Sequence, residues 1–169
     1  MQEIRYVILF VDLLVQELFS LCERSKEVFF FFFCKKDIKK FLSLLYGMAQ
    51  GREQIPERWT YDVFLSFRGA DVRKNFLSHL YDSLRRCGIS TFMDDVELER
   101  GKYISPELLK AIETSKILIV VLTKNYASSA WCLDELVHIM KCHKNNPRHL
   151  VFPIFFYADP SDIRWQQKQ

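Results

Sequence analysis

The sequence predicts an α/β protein in which a parallel sheet carries helices on both faces, with the folded unit running from residue 59 to 169. Three observations carry that expectation. Short runs of strand-type residues alternate with segments of helical spacing, joined by short connections. The run "ILIVVL" at 117–122 is apolar at every position, as a strand covered on both faces must be. The helix ends carry their own punctuation, with a Ser-Pro start at 105–106 and a glycine stop at 88.

The elements follow in order. "YDVFLSF", 61–67, is a first strand that runs into the turn "RGAD". Asp71 is placed to cap a helix whose apolar positions, Val72, Phe76, Leu77, Leu80 and Leu84, keep helical spacing until Gly88. "ISTFMD" is a second strand, and the polar loop "DVELERGKY" follows it. Ser105 caps a second helix with Pro106 at its first position, and Leu108, Leu109 and Ile112 form its apolar side. After the strand at 117–122, the loop "TKNYASS" opens a third helix with Cys132, Leu136, Ile139 and Met140 inward and Glu135 off that stripe. "LVFPIFF" is a fourth strand, and Pro153, which has no N–H to donate, marks an edge or a strand end.

A strand order of 2-1-3-4 would place the reversal between the strands at 61 and 117. Parallel sheets bind ligands at the carboxyl ends of their strands beside such a reversal. The loops leaving those strands carry Phe67 and Arg68 on one side and the helix start with Ser129, Trp131 and Glu135 on the other. Trp131 and Glu135 are four residues apart and share a helix face. Guanidinium, indole and carboxylate together suit a substrate with phosphates, a flat ring and a departing cationic group.

Composition narrows the function class. The 24 lysines and arginines face 21 acids, with no basic stripe, which argues against nucleic-acid binding. The five cysteines are scattered without a C-x-x-C, and no N-x-S/T sequon occurs. A reducing, cytoplasmic setting is expected. Neither G-x-G-x-x-G nor G-x-x-x-x-G-K-[ST] is present, and Thr123 and Lys124 stand where a receiver domain would carry its phosphate-accepting aspartate. His138 and Cys142 lie one turn apart, but two ligands do not make a metal site, and none is expected.

Residues 1–58 differ in texture. Ile4, Ile8, Val11, Val15, Leu18 and Cys22 form an amphipathic stripe, Phe29 to Phe33 are five identical residues, and "GMAQGREQIPERW" has a linker's composition. Asp12 and Glu17 interrupt the apolar start, which falls short of the ~20 residues of a membrane span. The segment is expected to be a leader that packs poorly on the folded unit.

From Tyr61 to Arg164 the stretches "YDVFLSFRGADVRKNFLSHLYDSL", "LERGKYISPELLKAIETSKILIVVLTKNYASSAWCLDEL" and "FPIFFYADPSDIR" resemble the Toll/interleukin-1 receptor (TIR) domain of plant intracellular immune receptors. The resemblance implies a flavodoxin-like fold that self-assembles and cleaves NAD+ between ribose and nicotinamide, with NAD+ as substrate and no cofactor. It implies that Glu135 is catalytic, that Phe67, Arg68, Ser129 and Trp131 line the nucleotide cleft, and that Ser78 and His79 form a self-association surface with other TIR domains. It also implies a further helix, strand and helix beyond "DPSDIR", so an open sheet edge is expected in a chain that ends at Gln169. Three readings stay open on these residues: an NAD+-cleaving enzyme, a non-catalytic TIR–TIR adaptor or decoy, and an inactive fragment. The domain boundary has a direct check. Limited trypsinolysis should cut after Arg58 and leave a resistant core beginning at Trp59, whereas uniform resistance of the full chain would refute the boundary.

Overall fold

The computed structural model describes residues 46–47, 59–72, 76–93 and 105–158. The amphipathic stripe, the phenylalanine run and the expected boundary at residue 58 lie outside the described residues. In chain order the elements are β1 (Tyr61–Phe67), a one-turn helix α1 (Gly69–Val72), α2 (Ser78–Arg86), β2 (Thr91–Met93), α3 (Pro106–Glu113), β3 (Ser115–Leu122), a 3-10 turn (Tyr126–Ser128), α4 (Ala130–Asn145) and β4 (Leu150–Phe155).

Among the described residues the sheet has four parallel strands in the order β2-β1-β3-β4, as expected from the sequence. Val63 lies beside Thr91 on one side and Ile117 on the other, and Val121 is flanked by Phe67 and Ile154. Crossovers between parallel strands are right-handed. The chain first moves outward from β1 to β2 and then back across β1 to β3 and β4. That reversal sends α2 to one face of the sheet and α3 and α4 to the other.

Two cores result, and strand alternation sorts residues between them. Val63, Leu65 and Phe67 of β1, with Ile117, Ile119 and Val121 of β3, pack against Val72, Leu77, Leu80 and Leu84. Phe64 of β1, with Leu118, Val120 and Leu122 of β3, packs against Leu108, Ile112, Leu136 and Ile139. Residues Ile117 to Leu122 are at most 1% exposed, which accounts for the unbroken apolar run of β3. Truncating any one of these leucines or isoleucines to alanine costs about 2–5 kcal/mol. By the same alternation Ser66 falls on the face of Phe64, toward α4, and that position sets up the site.

The helix ends follow local chemistry. The Ser105 hydroxyl accepts from the Leu108 N–H at 3.2 Å, with Pro106 at the first helical position. Gly88 adopts φ 74° and closes α2, its N–H donating to the Arg85 carbonyl at 3.0 Å while Ile89 N–H reaches Leu84 at 3.1 Å. A Cβ at Gly88 would meet nothing within 4 Å, so the glycine is required by the backbone and not by space.

Two expectations are corrected. Asp71 does not cap the long helix: it lies within α1, and α2 begins after Leu77 with no side-chain cap. The Asp71 carboxylate is instead engaged by Arg68, Thr123 and Asn125. In α3 the inner face is Leu108, Ala111 and Ile112, and Leu109 is only half-buried. Pro153 sits in β4, which pairs with β3 on one side and with no other described strand, so its missing N–H breaks no ladder.

Candidate active site at the strand-order reversal

β1 and β3 separate their outgoing loops at the point where strand order reverses, and α4 starts beside the carboxyl end of β1. The start of α4 is fixed by Ser129, whose backbone is extended (φ −101°, ψ 113°) and whose hydroxyl accepts from the Cys132 N–H at 3.4 Å. Trp131 and Glu135 then follow one turn apart on the helix.

Glu135 is buried, at 8% exposure. This overturns the expectation that it lies off the inward stripe. Its position is three residues after Cys132 and four before Ile139, so helical spacing places it with them. A carboxylate in such a place needs donors. The Ser66 hydroxyl donates to Glu135 Oε2 at 2.7 Å, and Ser66 Oγ is also 2.8 Å from the Tyr126 hydroxyl. Tyr126 in turn donates to the Cys132 carbonyl at 2.9 Å, and the Cys132 thiol reaches the Phe67 carbonyl at 3.6 Å. The network ties β1, the 3-10 turn and the first turns of α4 together behind the carboxylate.

Burial dominates the electrostatics here. It pushes the Tyr126 hydroxyl well above its ordinary 10.0, with the charges of Cys132 and Glu135 adding in the same direction. It pushes the Cys132 thiol up to about 12, against partial relief from Ser129 and with Glu135 adding to the rise. Both groups therefore keep their protons at neutral pH.

The remaining expected residues are distributed unevenly. Arg68 stands at the carboxyl end of β1, with Nη1 2.7 Å from Asp71 Oδ1 and its side chain 31% exposed. Its guanidinium is held in place with further donors available. Trp131 is half-buried and packs on the α3–α4 side core, and its buried Nε1 has no hydrogen-bond partner among the described residues. Phe67 does not join them: its ring belongs to the core on the opposite face, and only its backbone carbonyl takes part through Cys132. Ser78 and His79 lie exposed on α2, away from the carboxyl ends of the strands. His138 pairs with Glu113 at 3.1 Å, and no group of three potential metal ligands occurs among the described residues.

Sequence reasoning missed Ser66, Tyr126 and Asp71. A signal existed for the first: Ser66 is the one polar side chain in the buried run Val63 to Phe67 of β1, where a polar side chain needs a partner.

Residues 60–168 match the TIR domain family. This chain belongs to the TIR domain family. The TIR domain resembles plant disease resistance proteins: it is 60% identical over 115 residues to disease resistance protein RUN1 of Vitis rotundifolia, covering 67% of this chain and 9% of the relative. It is 57% identical over 111 residues to TMV resistance protein N of Nicotiana glutinosa, covering 66% of this chain and 10% of the relative. This chain thus spans about a tenth of the length of these curated relatives. Among solved structures, the TIR domains of the activated Roq1 resistosome directly recognizing the pathogen effector XopQ superpose with TM-score 0.59 at 55% identity, over 64% of this chain and 65% of that one. No helix among the described residues is long and apolar enough to cross a membrane.

The buried thiol makes a pH prediction. Folding raises the Cys132 value from 9.0 to about 12, so the stability tied to the neutral thiol is fully present below about pH 9 and lost as pH rises toward about 12. Urea denaturation of the parent should therefore weaken over that window more steeply than that of Cys132→Ala. Parallel slopes for the two proteins would show that the thiol is not held neutral by burial.

Proposed function

We propose that this TIR domain cleaves NAD+ at the bond between ribose and nicotinamide, within intracellular plant immune signalling. The observation that carries the reading is the buried Glu135 carboxylate, oriented by Ser66 at 2.7 Å and one turn from Trp131 at the strand-order reversal. The nicotinamide of NAD+ is already cationic. When the glycosidic bond breaks, its electron pair neutralises the ring, so no general acid is needed to protonate the leaving group. Glycosidases that must protonate theirs use two carboxylates. Here one suffices, stabilising the oxocarbenium-like ribose, and water then adds to the anomeric carbon and releases a proton. Arg68, anchored by Asp71, supplies guanidinium donors for the phosphates, and the half-buried Trp131 indole supplies an aromatic surface for a flat ring of the nucleotide. NAD+ enters as substrate, without a cofactor.

Glu135→Gln is the deciding substitution, because it keeps the buried shape and removes the charge. Nicotinamide release should fall roughly 10²- to 10³-fold, the usual cost of one well-placed electrostatic group. Release within a few-fold of the parent would reject the catalytic role. Glu135→Ala is a poorer test than the sequence suggests, since it opens space in a packed layer and removes the acceptor of the Ser66 hydroxyl, which then has only Tyr126. Arg68→Ala should chiefly raise the NAD+ concentration required, with some loss of loop order as Asp71 loses its pair.

A second reading, association with other TIR domains, is favoured by the exposure of Ser78 and His79 beside Asp82, Arg85 and Arg86 on α2. The Roq1 TIR domains it resembles were solved within a resistosome. The two readings are compatible, with assembly supporting turnover, and nicotinamide release separates an enzyme from an adaptor, a decoy or an inactive fragment. His79→Ala should weaken concentration-dependent sedimentation, and an unchanged profile would remove this surface from consideration.

A further inference from the structure

Behind Glu135 the hydrogen-bond contacts outnumber the hydroxyl protons that can fill them. Four oxygens lie in series, the Cys132 carbonyl, Tyr126 Oη, Ser66 Oγ and Glu135 Oε2, at successive separations of 2.9, 2.8 and 2.7 Å. Ser66 and Tyr126 bring one hydroxyl proton each. Once Ser66 donates to Glu135, the Ser66–Tyr126 contact can be closed only by the Tyr126 proton, and the Cys132 carbonyl then goes without it. Tyr126 thus has one proton and two acceptors within reach.

The charge on Glu135 decides between them. A carboxylate polarises the Ser66 hydroxyl and makes its oxygen the stronger acceptor, so Tyr126 turns toward Ser66. When the carboxylate is neutralised, that advantage disappears and Tyr126 returns to the carbonyl. We propose that Ser66 and Tyr126 are positioning residues that form a switchable hydroxyl relay, Tyr126 to Ser66 to Glu135, which holds the carboxylate ionised and fixed in direction.

Burial favours such a relay over solvent. Ser66 is 0%, Tyr126 2% and Glu135 8% exposed, so bulk water competes poorly for these contacts. Several titratable groups near Glu135 are neutral or have partners of their own. On α4 the Cys132 thiol stays neutral up to about 12. From the end of β1 and from α1, Arg68 and Asp71 face one another at 2.7 Å, and His138, one turn along α4, faces Glu113 of α3 at 3.1 Å. Tyr126 itself keeps its proton because burial holds it well above 10.0.

The catalytic consequence rests on the proposed NAD+ cleavage, but the relay belongs to the unliganded protein and is testable without turnover. The side-chain carboxyl of Glu135 can be titrated by 13C NMR in protein labelled at glutamate, with Glu135→Gln assigning the resonance. Ser66→Ala should move the midpoint up by roughly one pH unit, because the charged form loses its direct donor. Tyr126→Phe should move it the same way by less. The acid limb of kcat/KM for nicotinamide release should shift in parallel, with the plateau recovered at higher pH. A purely structural role would lower activity equally at all pH. Midpoints unchanged in both variants would overturn the relay, whatever the activity. A shifted midpoint in a protein that releases no nicotinamide would keep the relay and reject the enzyme reading. If Ser66→Ala does not fold, Tyr126→Phe decides, since it removes a single oxygen from a retained ring.

Discussion

Ser66 lies at 0% exposure in a strand covered on both faces, and a hydroxyl buried there without a partner costs about 1–3 kcal/mol. Much of the site's architecture answers that requirement. On the β3 side the neighbour of Ser66 is Val120, which offers no hydrogen-bond partner. The partner comes from the layer above, where α4 must start close enough to the carboxyl end of β1 to bring Glu135 to 2.7 Å and the 3-10 turn must bring Tyr126 to 2.8 Å. The Ser129 cap sets where α4 begins and hence the register of Glu135 on it. One hydroxyl in the central strand thereby connects sheet, turn and helix.

Asp71 performs the matching task at the mouth. It receives Arg68 from the end of β1 and Thr123 and Asn125 from the end of β3. The loops on the two sides of the strand-order reversal are joined through this one carboxylate. A crevice at such a reversal opens because its two loops diverge, and a shared acceptor limits how far they do. Arg68 is held by the same contact, so in the proposed reaction its guanidinium meets the phosphates already oriented and loses less freedom on binding.

Most of the scaffold was legible in the sequence because its causes are local. The two-sided burial of β3 shows in "ILIVVL", the cap of α3 in Ser105-Pro106, the end of α2 in Gly88, and the outer place of β4 among the described strands in Pro153. The site was legible only in outline. Trp131, Glu135 and Arg68 could be placed near the reversal from strand order, but the Ser66–Glu135 and Thr123–Asp71 contacts join residues 69 and 52 positions apart. No local pattern encodes those pairs. Glu135 shows where chemistry and geometry disagree: its charge argued for solvent, while its spacing from Cys132 and Ile139 argued for the interior. Spacing prevailed, and the Ser66 hydroxyl donates to the carboxylate there, as a buried charge requires. At Phe67 strand alternation turns the ring to the far face, while its backbone carbonyl accepts from the Cys132 thiol beside Glu135's helix.

The kind of donor behind Glu135 matters for the proposed chemistry. A lysine or arginine at the position of Ser66 would satisfy the carboxylate more strongly, but it would also cancel the charge that a developing ribose cation needs. A hydroxyl directs the carboxylate without cancelling its charge. Tyr126 extends the same logic one bond further back, since a phenol held neutral by burial can strengthen the Ser66 donor without contributing a charge of its own. The cost is a buried negative group, which is less stable than an apolar residue packed in its place. Proteins commonly give up stability at positions of this kind where function requires it. The Ser66–Tyr126 pair therefore fits a site whose carboxylate must remain charged, fixed in direction and able to meet a cation.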